Sequence, residues 1–208
     1  MTKLKLVIFD CDGVMFDSIE ANRAYYNTIL QYFHHPPMDD DELRFVHVSH
    51  VEDSVRHIFR RYNDDWREIE KYRASQPYTP FLQYMRLEAD LPEFLNFLMP
   101  DIARAISTNR ANTMSSILEM FDLAKYFDKV VTSVDVKNPK PHPEALHKIL
   151  AHFRLTVPEC IYIGDSQVDA EHTAAVNMRL IAFKNPELTA DYHVNSFTEI
   201  TKLPIWGP

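Results

Sequence analysis

Two aspartates, Asp10 and Asp12, stand directly after a short apolar run near the start of the chain. Residues i and i+2 of an extended segment project to the same side, so both carboxylates could face one substrate. One carboxylate can attack phosphorus and form an aspartyl-phosphate. The other can protonate the leaving oxygen and then activate water. A polar turn after a strand has the same pattern, so the pair alone leaves both interpretations open.

A second acidic pair, Asp165 and Asp169, follows another apolar run. Four residues apart, they would share one face of a helix that starts there, although simple helix capping explains each of them equally well. Together with Asp10 and Asp12 they would repel one another unless a cation neutralises them. Oxygen ligands suit hard cations, and Mg²⁺ is the usual ion beside phosphate substrates. These four aspartates are therefore the predicted Mg²⁺ site.

Three further residues could bind a phosphoryl group. Thr108 and Asn109 follow a third apolar run and offer hydroxyl, amide and backbone donors, although a capping turn would also use them. Lys140 stands between prolines, which restrict the backbone on both sides. A fixed ammonium there could pair with the nucleophile and the phosphoryl oxygens. An isolated lysine is more often a solvated surface group.

The elements that must position these residues alternate between strand and helix. Short β-branched apolar runs predict buried strands, and the later runs are separated by helical periodicity. This alternation is typical of a three-layer α/β/α Rossmann-like parallel sheet, which binds ligands at the carboxyl ends of its strands. The predicted strands cover residues 4–9, 103–107, 129–132, 160–163 and 179–183, and the predicted helices of this part cover 112–121, 143–153 and 168–176.

The intervening segment is rich in charged and aromatic residues and has helical patterns but no clear strand. It predicts a small all-helical domain inserted after the first strand. The predicted division is an α/β core of residues 1–16 and 91–208 and a helical cap domain of residues 17–90.

Composition limits the classes of partner. The 208 residues carry a net charge of −8, which argues against nucleic acid or an anionic membrane as the main partner. No apolar run approaches the roughly 20 residues that cross a bilayer. The two cysteines, Cys11 and Cys160, with no secretory signal beside them, are expected to be reduced thiols. We therefore expect a cytoplasmic protein.

Four segments in this order resemble the motifs of the haloacid dehalogenase-like hydrolase superfamily, in its phosphoglycolate phosphatase-like branch. They are VIFDCDGVMFDS, AISTN, NPKPHPEAL and IYIGDSQVDA. The resemblance implies that Asp10 is the nucleophile and Asp12 the acid/base. It also implies that Mg²⁺ is held by Asp10, Asp165 and the carbonyl of Asp12, with Asp169 in support. Thr108 and Lys140 take the places of the second and third motif residues.

The resemblance also implies a function and a role for the insert. The helical segment resembles the family's small cap, which closes over the substrate. The expected reaction is hydrolysis of a small phosphorylated metabolite, such as phosphoglycolate or a sugar phosphate. A sugar-phosphate mutase has nearly the same motifs, and a non-catalytic binding protein could keep the fold. Both stay open as alternatives, although intact carboxylates and Lys140 weigh against the second.

Overall fold

The computed structural model describes residues 3–49 and 51–206. The chain divides into two compact units, one made of residues 1–16 and 87–208 and the other of residues 17–86. Across the described residues, no helix combines the length and the apolar content that a bilayer crossing requires.

The first unit is built on a six-stranded sheet in the order β5-β4-β1-β6-β7-β8, and every pairing in it is parallel. This order is that of the doubly wound nucleotide-binding folds, with its switch point between β1 and β6. Two short strands, β2 and β3, pair with each other in a separate sheet. The strands are β1 (Leu6–Phe9), β2 (Phe16–Asp17), β3 (Arg86–Leu87), β4 (Ala103–Ser107), β5 (Lys129–Val131), β6 (Cys160–Gly164), β7 (Arg179–Phe183) and β8 (Tyr192–Val194).

Strand β1 lies at the centre of the sheet, and all four of its residues are buried. Its side chains alternate between the two faces. Leu6 and Ile8 join a core cluster that includes residues of α7 (Glu144–Phe153). Phe9 contacts the rings of Phe94 and Phe197 on the other face, at centroid distances of 6.0 and 6.1 Å. A strand buried on both faces explains the continuous apolar run in its sequence.

Helices flank the sheet and give the three layers. Besides α7, the helices of this unit are α5 (Leu91–Leu98), α6 (Met114–Met120), α8 (Gln167–Ala174) and α9 (Phe197–Ile200). Helix α6 starts two residues later than predicted, and Thr113 occupies its N-cap position. Asn177 follows α8 with a φ of 55°, a left-handed conformation that asparagine tolerates.

The second unit is helical, with α1 (Ile19–Tyr32), α2 (Asp40–Val48), α3 (Val51–Phe59) and α4 (Trp66–Ser75). One hydrophobic cluster joins all four helices through residues that include Tyr26, Ile29, Leu43, Val55 and Ile69. Helix α2 was not predicted. It begins with a capping box in which Asp39 accepts from the backbone N–H of Glu42, and Glu42 accepts from that of Asp39.

The prediction of a parallel α/β sheet of the Rossmann-like kind is confirmed. Its five predicted strands are all present, within two residues at each end. Strand β8 extends the sheet beyond the prediction, and helix α9 follows it; neither was predicted. They are three and four residues long, which is too short for a periodic pattern to indicate them.

Candidate active site

Four strands deliver polar side chains to one edge of the sheet. Asp10 follows β1, Thr108 follows β4, and Asp165 follows β6. Lys140 lies in the loop after β5. Asp10 extends the hydrogen bonding between β1 and β6, because its backbone N–H donates to the carbonyl of Ile163 at 2.9 Å. The carboxyl ends of β1 and β6 therefore bring Asp10 and Asp165 to the switch point of the sheet.

The buried ammonium of Lys140 is the centre of this edge. Its Nζ lies 2.8 Å from Oδ1 of Asp10, 2.7 Å from Oδ1 of Asp169 and 3.1 Å from the hydroxyl of Tyr162. Its side chain is only 4 % exposed. Burial works against the ammonium, but the charges of Asp10 and Asp169 outweigh it and raise the pKa of Lys140 well above its usual range. All three N–H groups of the ammonium therefore have partners.

Asp169 has both oxygens engaged. Oδ1 accepts from Lys140 and from the Tyr162 hydroxyl, and Oδ2 accepts from the Ser166 hydroxyl at 2.7 Å. Burial raises its pKa, but the Lys140 charge and these hydrogen bonds outweigh it and hold the pKa of Asp169 below its usual value. Asp169 is also the third residue of a capping box with Ser166, so the capping interpretation holds for it. Asp169 is a fixed negative charge that caps the start of α8 and pairs with Lys140.

Asp10, Asp165 and Asp169 form a group that could hold a metal ion. One oxygen from each lies within 4.8 Å of the others. Burial, followed by the charge of Asp169, raises the pKa of Asp10 to about 7. Burial, followed by the charge of Asp10, raises that of Asp165 to about 8. In the part of the chain that the structure describes, no hydrogen-bond donor reaches the Asp165 carboxylate. A hard cation with oxygen ligands fits this set, because it would neutralise Asp10 and Asp165, whose pKa values are raised although Lys140 contacts Asp10.

Gly13 makes room for the Asp165 carboxylate. The glycine has a φ of 74°, and a Cβ placed on it would stand 1.9 Å from Oδ2 and 2.4 Å from Cγ of Asp165. No other residue fits without moving that carboxylate. The turn after β1 is therefore built for close approach, which is why one of the few glycines stands there.

We expect Gly13→Ala to impair the site more than the fold. The left-handed backbone costs an alanine about 1–2 kcal/mol, and its methyl group displaces the Asp165 carboxylate. Turnover should therefore need a higher concentration of divalent cation. Thermal unfolding and the cation concentration for half-maximal activity measure the two effects separately. An unchanged cation requirement would contradict this account of Gly13.

Thr108 and Asn109 lie at the end of β4, but they are used differently. Thr108 is buried, and its Oγ1 accepts from the backbone N–H of Arg110 at 3.2 Å. The side-chain amide of Asn109 is bound to the backbone of Lys140, donating to its carbonyl and accepting from its N–H, both at 3.0 Å. Asn109 therefore positions the Lys140 loop, and its backbone N–H and the second N–H of its amide remain to contact a phosphoryl group.

Asp12 does not share the contacts of Lys140 but pairs with an arginine. Its carboxylate, 35 % exposed, forms a bidentate ion pair with Arg110 at 2.6 and 2.7 Å. The structure thus places Asp12 at the same sheet edge as Asp10, but with a partner of its own. No pattern in the sequence indicated Arg110, although it directly follows Asn109.

Tyr162 and His172 are two more buried residues that sequence reasoning missed. The Tyr162 hydroxyl contacts Lys140, Asp169 and the carbonyl of Ser107, the last at 2.9 Å. His172 lies between Ser107 Oγ at 3.2 Å and the carbonyl of His142 at 2.9 Å. Burial, followed by the Lys140 charge, lowers the pKa of His172 to about 4, so the ring is neutral. Both residues tie the Lys140 loop to β4.

Cys11 and Cys160 are free and buried. Burial raises the pKa of Cys160 to about 12 and that of Cys11 well above its usual range, so neither is a thiolate at neutral pH. The complete burial of Cys11 indicates that its side chain packs in the core.

Comparison with known proteins places the chain in a family. The model of the haloacid dehalogenase-like hydrolases matches residues 7–183. A phosphoglycolate phosphatase from Salmonella typhi is 32% identical over 200 residues, which cover 84% of this chain and 79% of the relative. A pyrophosphatase, PpaX, from Bacillus cereus is 24% identical over 181 residues, covering 80% of this chain and 77% of that one.

Among solved structures, a haloacid dehalogenase-superfamily hydrolase of subfamily IA from Geobacter sulfurreducens superposes with a TM-score of 0.85. It is 34% identical, and the match covers 96% of this chain and 98% of that chain. The motif resemblance is thus confirmed by a whole-chain likeness in sequence and in fold. The chain therefore belongs to the haloacid dehalogenase-like hydrolase family, and within it to the phosphatases.

Proposed function

We propose that the chain is a Mg²⁺-dependent phosphatase that hydrolyses a small phosphomonoester through an aspartyl-phosphate on Asp10. The observation that carries the proposal is the convergence of Asp10, Asp165 and Asp169 within 4.8 Å, with Lys140 2.8 Å from Asp10. Phosphoryl transfer through a covalent intermediate needs a nucleophilic carboxylate and positive charge beside the phosphoryl group. This sheet edge has the carboxylate of Asp10, the ammonium of Lys140 and an acidic group that could hold a metal ion.

Asp10 is the proposed nucleophile. Its Oδ1 is held by Lys140, which leaves its second oxygen to attack the phosphorus in line with the ester oxygen. The P–O ester bond breaks as the bond to Asp10 forms. Water then attacks the phosphorus of the aspartyl-phosphate, and the bond to Asp10 breaks to release inorganic phosphate and the carboxylate.

Asp12 is the proposed acid/base residue. In the first step its proton passes to the leaving alkoxide oxygen, and in the second step its carboxylate takes a proton from the attacking water. It stands two residues from Asp10 and is the more exposed of the two, so it can reach a leaving group and water.

Lys140, Thr108 and Asn109 are proposed to bind the phosphoryl group, with different parts of each residue. Lys140 supplies charge rather than a spare donor, because its three N–H groups already have partners. Thr108 supplies its hydroxyl, and Asn109 supplies its backbone N–H, since its amide holds the Lys140 loop.

Mg²⁺ is the proposed cofactor. Asp10, Asp165 and the carbonyl of Asp12 would hold the ion, with Asp169 in support. When bound, it would neutralise the buried carboxylates and the developing charge on the phosphoryl oxygens. The raised pKa values of Asp10 and Asp165 support this assignment, since both carboxylates need a further positive charge to be fully ionised at neutral pH.

The division into domains and the setting of the protein are also proposals. We infer that the two compact units are an α/β core domain and an inserted helical cap domain, with boundaries close to residues 17 and 90. A cytoplasmic location, and the absence of nucleic-acid and membrane partners, stay predictions from composition. The natural substrate is proposed only as a class, a small phosphorylated metabolite, because the relatives named above differ in the substrates that their names state.

The first test is phosphate release by the purified chain. We expect turnover of p-nitrophenyl phosphate in Mg²⁺, its loss in EDTA and its recovery when Mg²⁺ is added back. A panel with phosphoglycolate, pyrophosphate and hexose 1-phosphates would then rank the substrate classes by kcat/KM. Full turnover in EDTA would reject the metal dependence.

The same panel separates a phosphatase from a mutase. If a hexose 1-phosphate is converted into its 6-phosphate without phosphate release, the mutase alternative replaces the phosphatase. Borohydride quenching during turnover tests the intermediate, since it reduces an aspartyl-phosphate to homoserine. Peptide mapping should find homoserine at position 10, and its absence under steady turnover would count against a covalent mechanism.

A further inference from the structure

Arg110 forms the most complete side-chain ion pair at the sheet edge. Its Nε donates to Oδ2 of Asp12 at 2.7 Å, and its Nη2 donates to Oδ1 at 2.6 Å. The planar guanidinium thus meets both oxygens of one carboxylate. A bidentate pair of this kind fixes direction as well as charge.

Arg110 is itself held from several sides. Its backbone N–H donates to Thr108 Oγ1, and its carbonyl accepts from the backbone N–H and the hydroxyl of Ser133 at 3.0 and 3.2 Å. Its Nη1 donates to Thr113 Oγ1 at 3.1 Å. With a side chain only 10 % exposed, Arg110 is a rigid part of the loop after β4.

Asp12 is the more exposed partner of the pair. Its carboxylate is 35 % exposed and lies in the turn after β1, so its orientation depends on what holds it. Part of the carboxylate faces solvent, so Asp12 can exchange a proton with a substrate or water while Arg110 holds its orientation.

Another ion pair of the same unit shows what a purely structural arginine looks like. Arg104 is 7 % exposed, and its Nη2 lies 3.1 Å from Oδ2 of Asp128, the same oxygen that accepts from the Arg104 backbone N–H at 2.9 Å. Its Nε and Nη1 bind backbone carbonyls instead. Arg110, by contrast, donates two hydrogen bonds to the carboxylate of Asp12, the proposed acid/base residue.

We propose that Arg110 is a positioning residue for proton transfer by Asp12, and that it thereby sets the activity on esters whose leaving group must be protonated. This inference rests on the proposed function. An alkoxide is a strong base and leaves only as the proton from Asp12 reaches it, whereas p-nitrophenolate is a weak base and leaves without one. Loss of the position of Asp12 should therefore slow alkyl phosphates selectively.

The test compares leaving groups in Arg110→Met, with Arg104→Met as the matched control. The measured quantity is kcat/KM, which covers the steps up to the first phosphoryl transfer, for p-nitrophenyl phosphate and for alkyl phosphates. General acid catalysis is worth about 10²–10⁴-fold. We expect Arg110→Met to lose roughly 10–10²-fold more on alkyl than on p-nitrophenyl phosphate. Arg104→Met should change both substrates by the same factor.

Two further variants keep the test decisive if Arg110→Met folds poorly. Arg110→Lys keeps the positive charge but loses the bidentate guanidinium. Its selective loss on alkyl phosphates should therefore be smaller than that of Arg110→Met but still present. In an Asp12→Asn background, the additional replacement of Arg110 should add no further selectivity, because there is no proton left to position. An equal loss on both leaving groups in Arg110→Lys, or an additive loss in the double variant, would overturn the proposal.

Failure of the inference and failure of the proposed function give different results. If the wild type releases no phosphate from any ester, the proposed function is wrong. If the wild type turns over, Asp10→Asn is inactive and Arg110 variants lose equally on both leaving groups, the function stands and only the role of Arg110 falls.

Discussion

The Asp10→Asn variant is expected to lose at least about 10³-fold in kcat while folding at least as stably as the wild type without metal. Asparagine keeps an oxygen for the hydrogen bond from Lys140, but it cannot form the acyl phosphate. The substitution also removes one member of a buried acidic group, in which burial and Asp169 raise the pKa of Asp10 to about 7. Activity and stability should therefore move in opposite directions.

The pH dependence of stability provides the second half of this prediction. An acid whose pKa is higher in the folded chain keeps its proton there after the unfolded chain has released it. Between the ordinary value of 3.8 and about 7, the contribution of Asp10 to the stability of the metal-free wild type therefore falls as the pH rises. Asp10→Asn lacks this contribution, and it also lowers the pKa of Asp165, which the charge of Asp10 helps to raise. The stability of Asp10→Asn relative to the wild type should therefore increase as the pH rises over this range.

Thermal unfolding in EDTA at several pH values, together with turnover in Mg²⁺, measures both effects. Asp41→Asn is the matched control, because Asp41 is an exposed carboxylate paired with Arg44 on the helical unit. It should leave turnover unchanged. Appreciable turnover by Asp10→Asn would rule out Asp10 as the nucleophile, and an unchanged pH profile of stability would contradict the burial of its charge.

The gathering of the site residues was predictable from the sequence because parallel sheets collect strand ends. Asp10, Thr108 and Asp165 lie far apart in the chain, yet each follows a short apolar run. Once the runs are interpreted as parallel strands, the carboxyl ends must share one edge. The prediction needed only the strand boundaries, which β-branched residues and polar ends mark clearly.

The hydrogen bonds that hold the site were not predictable in the same way. Tyr162 stands in the middle of an apolar strand, where its ring is indistinguishable from a core aromatic residue. Its hydroxyl matters because Ser107 and Lys140 are folded against it from other parts of the chain. Arg110 likewise meets an aspartate 98 residues away. Pairings over such separations follow from the packed fold and not from local spacing.

The side chain of Asn109 lies at the predicted edge of the sheet, but it binds the backbone of Lys140. Its place after β4 predicted a phosphate ligand, and the residue does lie at the correct edge. An amide carries one donor and one acceptor group, and the backbone of Lys140 offers the complementary pair on one residue. The reciprocal pairing uses the amide oxygen and one of the two amide N–H groups, so the side chain is held against the loop.

Replacing Lys140 by methionine is expected to have the largest effect on stability. Lys140 is the buried cation between Asp10 and Asp169, at 2.8 and 2.7 Å. Removing one partner of a buried pair leaves the other charge uncompensated, which costs about 3–5 kcal/mol. Here the methionine takes the ammonium away from two aspartates and from the Tyr162 hydroxyl. Asp169, whose pKa Lys140 helps to hold low, should then take up a proton at a higher pH than in the wild type.

The sign of the pH effect distinguishes this loss from a simple packing defect. In the wild type the pKa of Asp169 is lower in the folded than in the unfolded chain, so its contribution to stability is present above its ordinary value of 3.8 and disappears as the pH falls through the folded pKa. Lys140→Met removes that contribution. The difference in unfolding free energy between wild type and Lys140→Met should therefore be larger at neutral pH than in acid, whereas a cavity would cost the same at both.

Urea unfolding at neutral and acidic pH, with kcat measured in parallel, tests the role of Lys140. Lys71→Met is the matched control, because Lys71 is 78% exposed and its nearest carboxylate oxygen, on Glu68, is 3.7 Å away. The control should unfold as the wild type does at both pH values. If Lys140→Met costs no more than Lys71→Met, or costs the same at both pH values, Lys140 is not the charge that holds the acidic cluster together. Added Mg²⁺ should recover part of the stability of Lys140→Met but not its turnover, since a cation beside Asp10 and Asp165 can compensate the carboxylates without replacing the ammonium beside Asp169.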